Sequence, residues 1–328
     1  MQSFRRVALL RACVAVLGVL LWPGPGLAQP FPNKPLRLIV PLSAGGAGDI
    51  LGRIVADGLA ENLKQAVVVD NRAGANGVIG MQAVVKSPAD GYTLLFASTG
   101  NIAINPGLYG AKLPFDTEKD LTAITEVAEA SQVFTVHPSF PAKTLKEFIE
   151  VAKANPRKYD YVSAGNGSTT HLNTAMLSSM AGIELTAIVF RGAGPGQLAQ
   201  LAGQVPILMD SFLHALENIK AGKVRALGVA SPKRSPLLPD VPAIAEVVPN
   251  YSAMTWYGIF GPAGMSRDLV NRLYESTLTV LRNPEVKARL ARQGTDVVGN
   301  TPAEFSAYIR SEVVKWTRVV KETGAQPE

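Results

Sequence analysis

Leu36-Arg37-Leu38-Ile39-Val40-Pro41-Leu42-Ser43-Ala44-Gly45-Gly46-Ala47-Gly48-Asp49-Ile50-Leu51 reads as a strand, a glycine-rich turn and the start of a helix. Five residues rich in branched side chains make the strand, and Ile50, Leu51, Ile54, Val55, Leu59 and Leu63 then recur at helical spacing from an opening at Asp49. Val67-Val68-Val69 is the next short apolar run. A strand, a helix and a second strand in that order form a βαβ unit, which requires a parallel sheet. A second turn, Arg72-Ala73-Gly74-Ala75-Asn76-Gly77, leads into another helical pattern through Val84. Tyr92 to Ala97 is a further strand, ending at Ser98-Thr99-Gly100-Asn101. Each of these turns follows a strand.

Farther along, residues 105–141 read as irregular, with Pro106, Pro114, Pro138 and Pro141, before a helix marked by Leu145, Phe148, Ile149 and Ala152. The same order then repeats. Tyr161-Val162-Ser163 is a strand, Ala164-Gly165-Asn166-Gly167-Ser168-Thr169 a turn, and a helix runs from about Thr170 to Met180. Strands follow at Thr186 to Phe190, at Val205 to Met209 ending on Asp210, and at Val224 to Val229, with short helices between them. Trp256 to Phe260 is a strand, and three helical stretches follow Ser266, Pro284 and Pro302. The pattern predicts two α/β domains, one built from 29–104 and 230–328 and the other from 105–229.

The N-terminus reads differently. Arg5, Arg6 and Arg11 precede an apolar run from Ala12 to Trp22, and Pro23-Gly24-Pro25-Gly26-Leu27-Ala28 follows. These are the three regions of a signal peptide, with small residues placed for a cut after Ala28. The run falls short of the roughly 20 residues that span a bilayer. Removing 1–28 takes away three Arg and no acid, so the net charge falls from +6 to +3. The basic residues left are scattered singly, without a stripe interleaved with aromatics, and nucleic-acid binding loses its support. The lone Cys13 lies inside the leader. An exported chain of about 300 residues without thiols suits a periplasm, where a domain this large needs no disulfide.

Strand-to-helix turns of Gly, Ser, Thr and Asn carry the chemical signal, because helix N-termini offer N–H groups and partial positive charge to carboxylate or phosphate. Gly45 and Gly46 let backbone approach a ligand closely, and Ser168 and Thr169 add hydroxyls. Asp49 either caps its helix or faces the ligand. His171, at the head of a helix, has a ligand role or a helix-end contact open to it. Asp210 stands at the carboxyl edge of its strand, where open α/β sheets bind ligands; it would suit a ligand carrying an amine or donor hydroxyl, or else caps the next helix. Arg191 could pair with a carboxylate.

Other chemistries fit less well. No turn has the Lys of a phosphate-binding P-loop, and Gly192-Ala193-Gly194 meets Gln197 where a dinucleotide fingerprint needs Gly. His137, His171 and His214 are far apart, without a zinc motif, so neither metal nor cofactor is expected. Ser168, His171 and Asp210 could form a hydrolase triad, though no G-x-S-x-G elbow is present.

Five ordered stretches resemble the Bug family of periplasmic solute-binding receptors of tripartite tricarboxylate transporters. They are Pro35 to Pro41 running into Ala44-Gly45-Gly46 and Asp49, Val69 to Gly77, Asp90 to Leu95, Ser163 to His171, and Leu237 to Pro242. The likeness covers nearly the whole mature chain. It implies a two-lobed type II periplasmic binding protein with the ligand cleft between its lobes, closing on a small carboxylated anion through backbone N–H groups and bridging waters. It also implies one jaw made of Ala44 to Asp49 with Ser98, Thr99 and Asn101, and another made of Gly165, Asn166, Gly167, Ser168, Thr169, His171 and Asp210. Leu42-Ser43 and Phe190-Arg191 depart from the family pattern, and residue 42 borders the pocket mouth, where it bears on ligand identity. The expected protein is a monomeric receptor, not an enzyme, that delivers its ligand to the membrane subunits of a transporter; a sensor kinase is the alternative partner.

Overall fold

The computed structural model describes residues 31–190 and 192–327. The leader at 1–28, Cys13 included, and Arg191 lie outside the described residues. Among the described residues no helix is long and apolar enough to cross a membrane.

Two sheets carry the molecule. The first contains β1 (Leu36–Val40), β2 (Val67–Asn71), β3 (Thr93–Ser98), β4 (Leu121–Ala130), β10 (Thr255–Pro262) and β11 (Thr295–Val297), in the order β11-β4-β10-β3-β1-β2. β1 pairs in parallel with β2 and β3, as the βαβ reading requires. β10 runs antiparallel between β3 and β4. The second sheet contains β5 (Gln132–Val136), β6 (Asp160–Ser163), β7 (Thr186–Val189), β8 (Ile207–Ser211) and β9 (Arg225–Val229), in the order β7-β6-β8-β5-β9. β6 is parallel to β7 and β8, and β5 is antiparallel to β8 and β9.

The helices follow the apolar spacings. They are α1 (Ala47–Leu63), α2 (Val78–Val85), α3 (Asn105–Tyr109), α4 (Leu145–Ala154), α5 (Thr169–Ala181), α6 (Ala193–Leu201), α7 (Phe212–Lys220), α8 (Arg267–Arg282), α9 (Pro284–Ala291) and α10 (Pro302–Thr323). Helix α1 begins two residues before Asp49 and buries Leu51, Ile54, Val55 and Leu59. Full burial of each such side chain is worth roughly 2 kcal/mol. Pro302 at the first turn and a Thr301–Glu304 capping box start α10, satisfying N–H groups that have no partner within the helix.

One expectation fails. The segment 105–141 is not irregular, because it contains α3, β4 and β5. A domain boundary at 104/105 would therefore divide the first sheet, since β4 pairs with β10 from Leu121 to Ala130. Sheet membership changes at Ser131, the single residue between β4 and β5. The chain returns to the first sheet between β9 and β10. The two crossings are laced together: Ser231 N–H donates to Ser131 Oγ at 3.0 Å and Ala230 N–H to the Gln132 carbonyl at 2.8 Å.

β10 is buried along its whole length. Behind it lies a polar cluster, in which the indole N–H groups of Trp256 and Trp316 both donate to Glu312 Oε2, at 3.1 and 2.9 Å. Glu126, on β4, is buried beside them. Its Oε2 accepts from Asn300 Nδ2 at 2.9 Å, and its Oε1 has no hydrogen-bond partner. Burial, then the charge of Glu129, pushes the Glu126 carboxyl up to about 8.

Candidate functional site

The Gly-rich turn after β1 is held from beneath. Asp49, 3% exposed, accepts the Gly45 N–H on Oδ2 at 2.8 Å, and its Oδ1 takes Asn71 Nδ2 and Arg53 Nε, each at 3.0 Å. Burial raises this carboxyl, but the Gly45 N–H and the bonds from Arg53 and Asn71 hold it below the usual carboxylate range. Both oxygens are engaged within the protein, and Asp49 is neither the N-cap of α1 nor a lining residue of the neighbouring cavity. Gly45 adopts φ +79°, a left-handed conformation that glycine enters without strain. Gly46 is the N-cap of α1, and no side chain caps that helix.

The turn after β3 is braced in a similar way. Asn101 Nδ2 donates to the Asn76 carbonyl at 2.9 Å, which fixes the orientation of its amide. Its Oδ1 then accepts from Ser98 N–H at 3.1 Å and Ser98 Oγ at 3.0 Å. Thr99 Oγ1 accepts the Trp256 N–H at 2.8 Å and ties β3 to β10.

In the second sheet, Ser168 is the N-cap of α5 and its Oγ accepts from His171 N–H at 3.2 Å. The His171 ring accepts the Gly167 N–H on Nδ1 at 3.2 Å and stacks on Tyr161. Burial lowers its pKa, so the ring is neutral at pH 7. Gly165 accepts from Ser163 Oγ at 3.0 Å. Gly167, at φ +72°, would drive a Cβ into Leu108. Asn166 belongs to the same turn, half-buried. The turn shapes the start of α5.

Between the two sheets lies a cavity of about 260 Å³. Of the residues singled out in the sequence, Leu42, Ser43, Gly46, Ser98, Thr169, Asp210 and His214 line it. Ala44 and Gly45 are exposed on the turn beside it. Asp49, Thr99, Asn101, Gly165, Asn166, Gly167, Ser168 and His171 stand outside the lining, and all but Asn166 brace it through the hydrogen bonds just described. Ser168 and His171 meet through a backbone N–H rather than ring to hydroxyl, and Asp210 bonds elsewhere. The triad geometry is therefore not assembled.

Asp210, 5% exposed, accepts Gln197 Nε2 on Oδ2 at 3.0 Å and its neighbour Ser211 N–H on Oδ1 at 2.8 Å. His214 Nδ1 lies 3.1 Å from Ser211 Oγ and 3.6 Å from Asp210 Oδ1. The longer distance is a charge contact rather than a hydrogen bond. Contact with the Asp210 carboxylate raises the His214 pKa, and burial opposes it.

Four helix N-termini open onto this cavity. Ala47 and Gly48 of α1, Thr169 and Thr170 of α5, Ala193 of α6 and Phe212 of α7 all line it. No side chain caps α1, α6 or α7. Each N-terminus presents about half a positive charge and its N–H groups. Among the described residues, no Lys or Arg lines the cavity. The arrangement suits a small anion gripped by backbone. Among the described residues no cluster of His, Cys, Asp or Glu could hold a metal ion.

Further lining residues are not singled out as ligand contacts in the sequence. Among the polar ones are Thr170, Gln132, Ser211, Thr255 and Gln293. Thr255 Oγ1 and Gln293 Oε1 are buried without a hydrogen-bond partner, two of four such side-chain atoms among the described residues. Thr255 opens a strand whose other residues are apolar or glycine, a local hint comparable to that given by Asp210. Gln293 follows α9 with no such signal.

The model of the tripartite tricarboxylate transporter family receptor matches residues 51–325. The chain belongs to this family. BugT of Bordetella pertussis is 33% identical over 328 residues, covering 99% of each chain. An R. palustris protein solved with adipate superposes with a TM-score of 0.82 at 31% identity, over 91% of this chain and 100% of that one. MatC from Rhodopseudomonas palustris, solved with bound malate, gives 0.79 at 28% identity, over 88% and 100%. The receptor has the two-lobed α/β periplasmic-binding-protein fold, with its cavity between the two sheets.

Proposed function

We propose that this receptor works in the periplasm, exported by a leader cut after Ala28, and that its lobes close on a small organic carboxylate for delivery to the membrane subunits of a tripartite transporter. The lobes correspond to the two sheets, with the crossings at Ser131 and between β9 and β10 as the hinge. One observation carries the reading: four helix N-termini from both sheets converge on one cavity that has no Lys or Arg among its described lining residues. Such a site grips carboxylate through N–H groups drawn from two bodies, so binding and closure favour each other. Gly46, Ser98, Thr169 and Asp210 touch the ligand, and Ala44 and Gly45 flank it. Asp49, Thr99, Asn101, Gly165, Gly167, Ser168 and His171 hold the loops that do so, and Asn166 belongs to one of those loops. The ligand is released unchanged. Adipate and malate in the related structures support the carboxylate class.

A thermal-shift screen over di- and tricarboxylates, acidic amino acids and aromatic acids tests this, since a ligand that binds only the folded state raises the melting temperature. A selective rise, with the ligand recovered chemically intact, is the expected result. Silence across the whole panel, or turnover that disappears in Ser168→Ala, would sink the assignment.

A further inference from the structure

We infer that the ligand carries, besides its carboxylate, a hydrogen-bond donor, a hydroxyl or an ammonium group, and that Ser98, Gln293 and Asp210 recognise it. The inference rests on the carboxylate reading above and narrows it.

The argument begins with the single proton of the Ser98 hydroxyl. Asn101 donates through Nδ2 to the Asn76 carbonyl, so the group facing Ser98 is the amide oxygen, an acceptor only. Ser98 Oγ lies 3.0 Å from that oxygen and must donate to it. What Ser98 has left to offer the cavity is lone pairs. It cannot donate to a carboxylate without giving up a buried bond; it can accept from a ligand.

Two further acceptors stand in the same lining. Gln293 Oε1 is buried with no partner. A buried amide oxygen without a donor loses its hydration and gains nothing in return, so the folded protein carries a cost that a ligand donor removes. Asp210 brings acceptor oxygens on the facing sheet, already bonded to Gln197 and the Ser211 N–H and hence fixed in place. The helix N-termini supply the opposite polarity. The lining thus holds donors for an anion and acceptors for a donor, and an unsubstituted dicarboxylate satisfies only the first. Thr255 Oγ1, also unpartnered, can turn its hydrogen either way and discriminates less.

Hydroxyl and ammonium share the donor chemistry, so the test uses matched sets: succinate with malate and aspartate, glutarate with 2-hydroxyglutarate and glutamate, and adipate with 2-hydroxyadipate and 2-aminoadipate. Calorimetric titration of the purified protein reads the dissociation constants. Within whichever set binds, the hydroxy or amino member should bind about tenfold or more tighter than its plain counterpart, the effect of leaving a buried acceptor unpaired. The tighter of the two names the source of the donor. Gln293→Leu and Ser98→Ala should each cut that preference to about threefold or less, read as the ratio of the two dissociation constants measured in the same variant, so that any general loss of binding or stability cancels. A plain dicarboxylate that binds as tightly as its substituted partners overturns this inference and leaves the carboxylate reading standing. An unchanged preference in both variants overturns the assignment of these residues. No binding in any set overturns both.

Discussion

Replacing Glu126 with Gln should make the protein more stable at neutral pH, by an amount that the structure sets. Glu126 is 2% exposed on β4 and faces Glu129, Glu312, Tyr308 and Asn300 across the cluster behind Trp256. Burial and the Glu129 charge raise its pKa from 4.5 to about 8. In the folded protein it therefore stays protonated through a range in which the unfolded chain has released the proton. Between about pH 4.5 and 8 the unfolded state binds fewer protons, so stability falls as pH rises, by about 1.4 kcal/mol per unit. At pH 7 the accumulated loss is about 3 kcal/mol relative to acid solution. The amide that replaces the carboxyl keeps an oxygen for Asn300 Nδ2, and it has no proton to lose. Glu126→Gln should thus match the parent near pH 4 and exceed it by about 3 kcal/mol at pH 7, or roughly 6 °C in melting temperature for a chain of this size. Melting curves at half-unit intervals from pH 4 to 8 read this directly. Parallel curves with a constant offset, or a variant that melts lower at pH 7, would refute the reasoning.

Three other substitutions separate binding from folding. Gly46→Trp is compatible with the fold, because Gly46 has φ −78° and its Cβ would meet only the Ser43 carbonyl at 3.4 Å; its melting temperature should hold while the ligand-induced rise disappears, and a preserved rise would remove Gly46 from the site. Asp49→Ala strips three donors of their buried acceptor and should cost about 2 kcal/mol in denaturant unfolding, together with weaker carboxylate binding as the turn loosens; an unchanged unfolding midpoint would show that the turn holds itself. Asp210→Asn removes the contact that raises His214, so the ring should titrate at lower pH when followed by NMR. An unmoved His214 titration would mean that its charge is set elsewhere.

The first βαβ unit was legible because Leu36 to Val40 and the apolar positions from Ile50 to Leu63 keep one period each, and both elements lie against the same core. The turns at Gly45 and Ser168 were legible because their composition answers a backbone need. Strand β4 was not. Its Glu126 and Glu129 interrupt the apolar pattern, and what lets a carboxyl lie buried there is Asn300, which is distant in sequence. Asp49 could be placed but not understood, since its partner Gly45 lies within the turn that it was expected merely to follow. Thr255 and Gln293 reach the cavity from segments far from the Gly-rich turns, as single polar residues at the ends of elements, and local sequence cannot announce that. The Gly-rich turns were visible; what braces them was not.

Four helix ends of like sign aimed at one volume attract any small anion, not the cognate one alone. In a medium containing chloride or phosphate, capture of a carboxylate is then an exchange, in which an abundant weak occupant gives way to a scarce strong one. Apparent affinity should fall as the competing anion is raised, and fall differently for two salts of equal ionic strength, which charge screening alone does not produce. Selectivity in such a receptor is decided less by how tightly the ligand is held than by how poorly the background ions satisfy the same N–H groups.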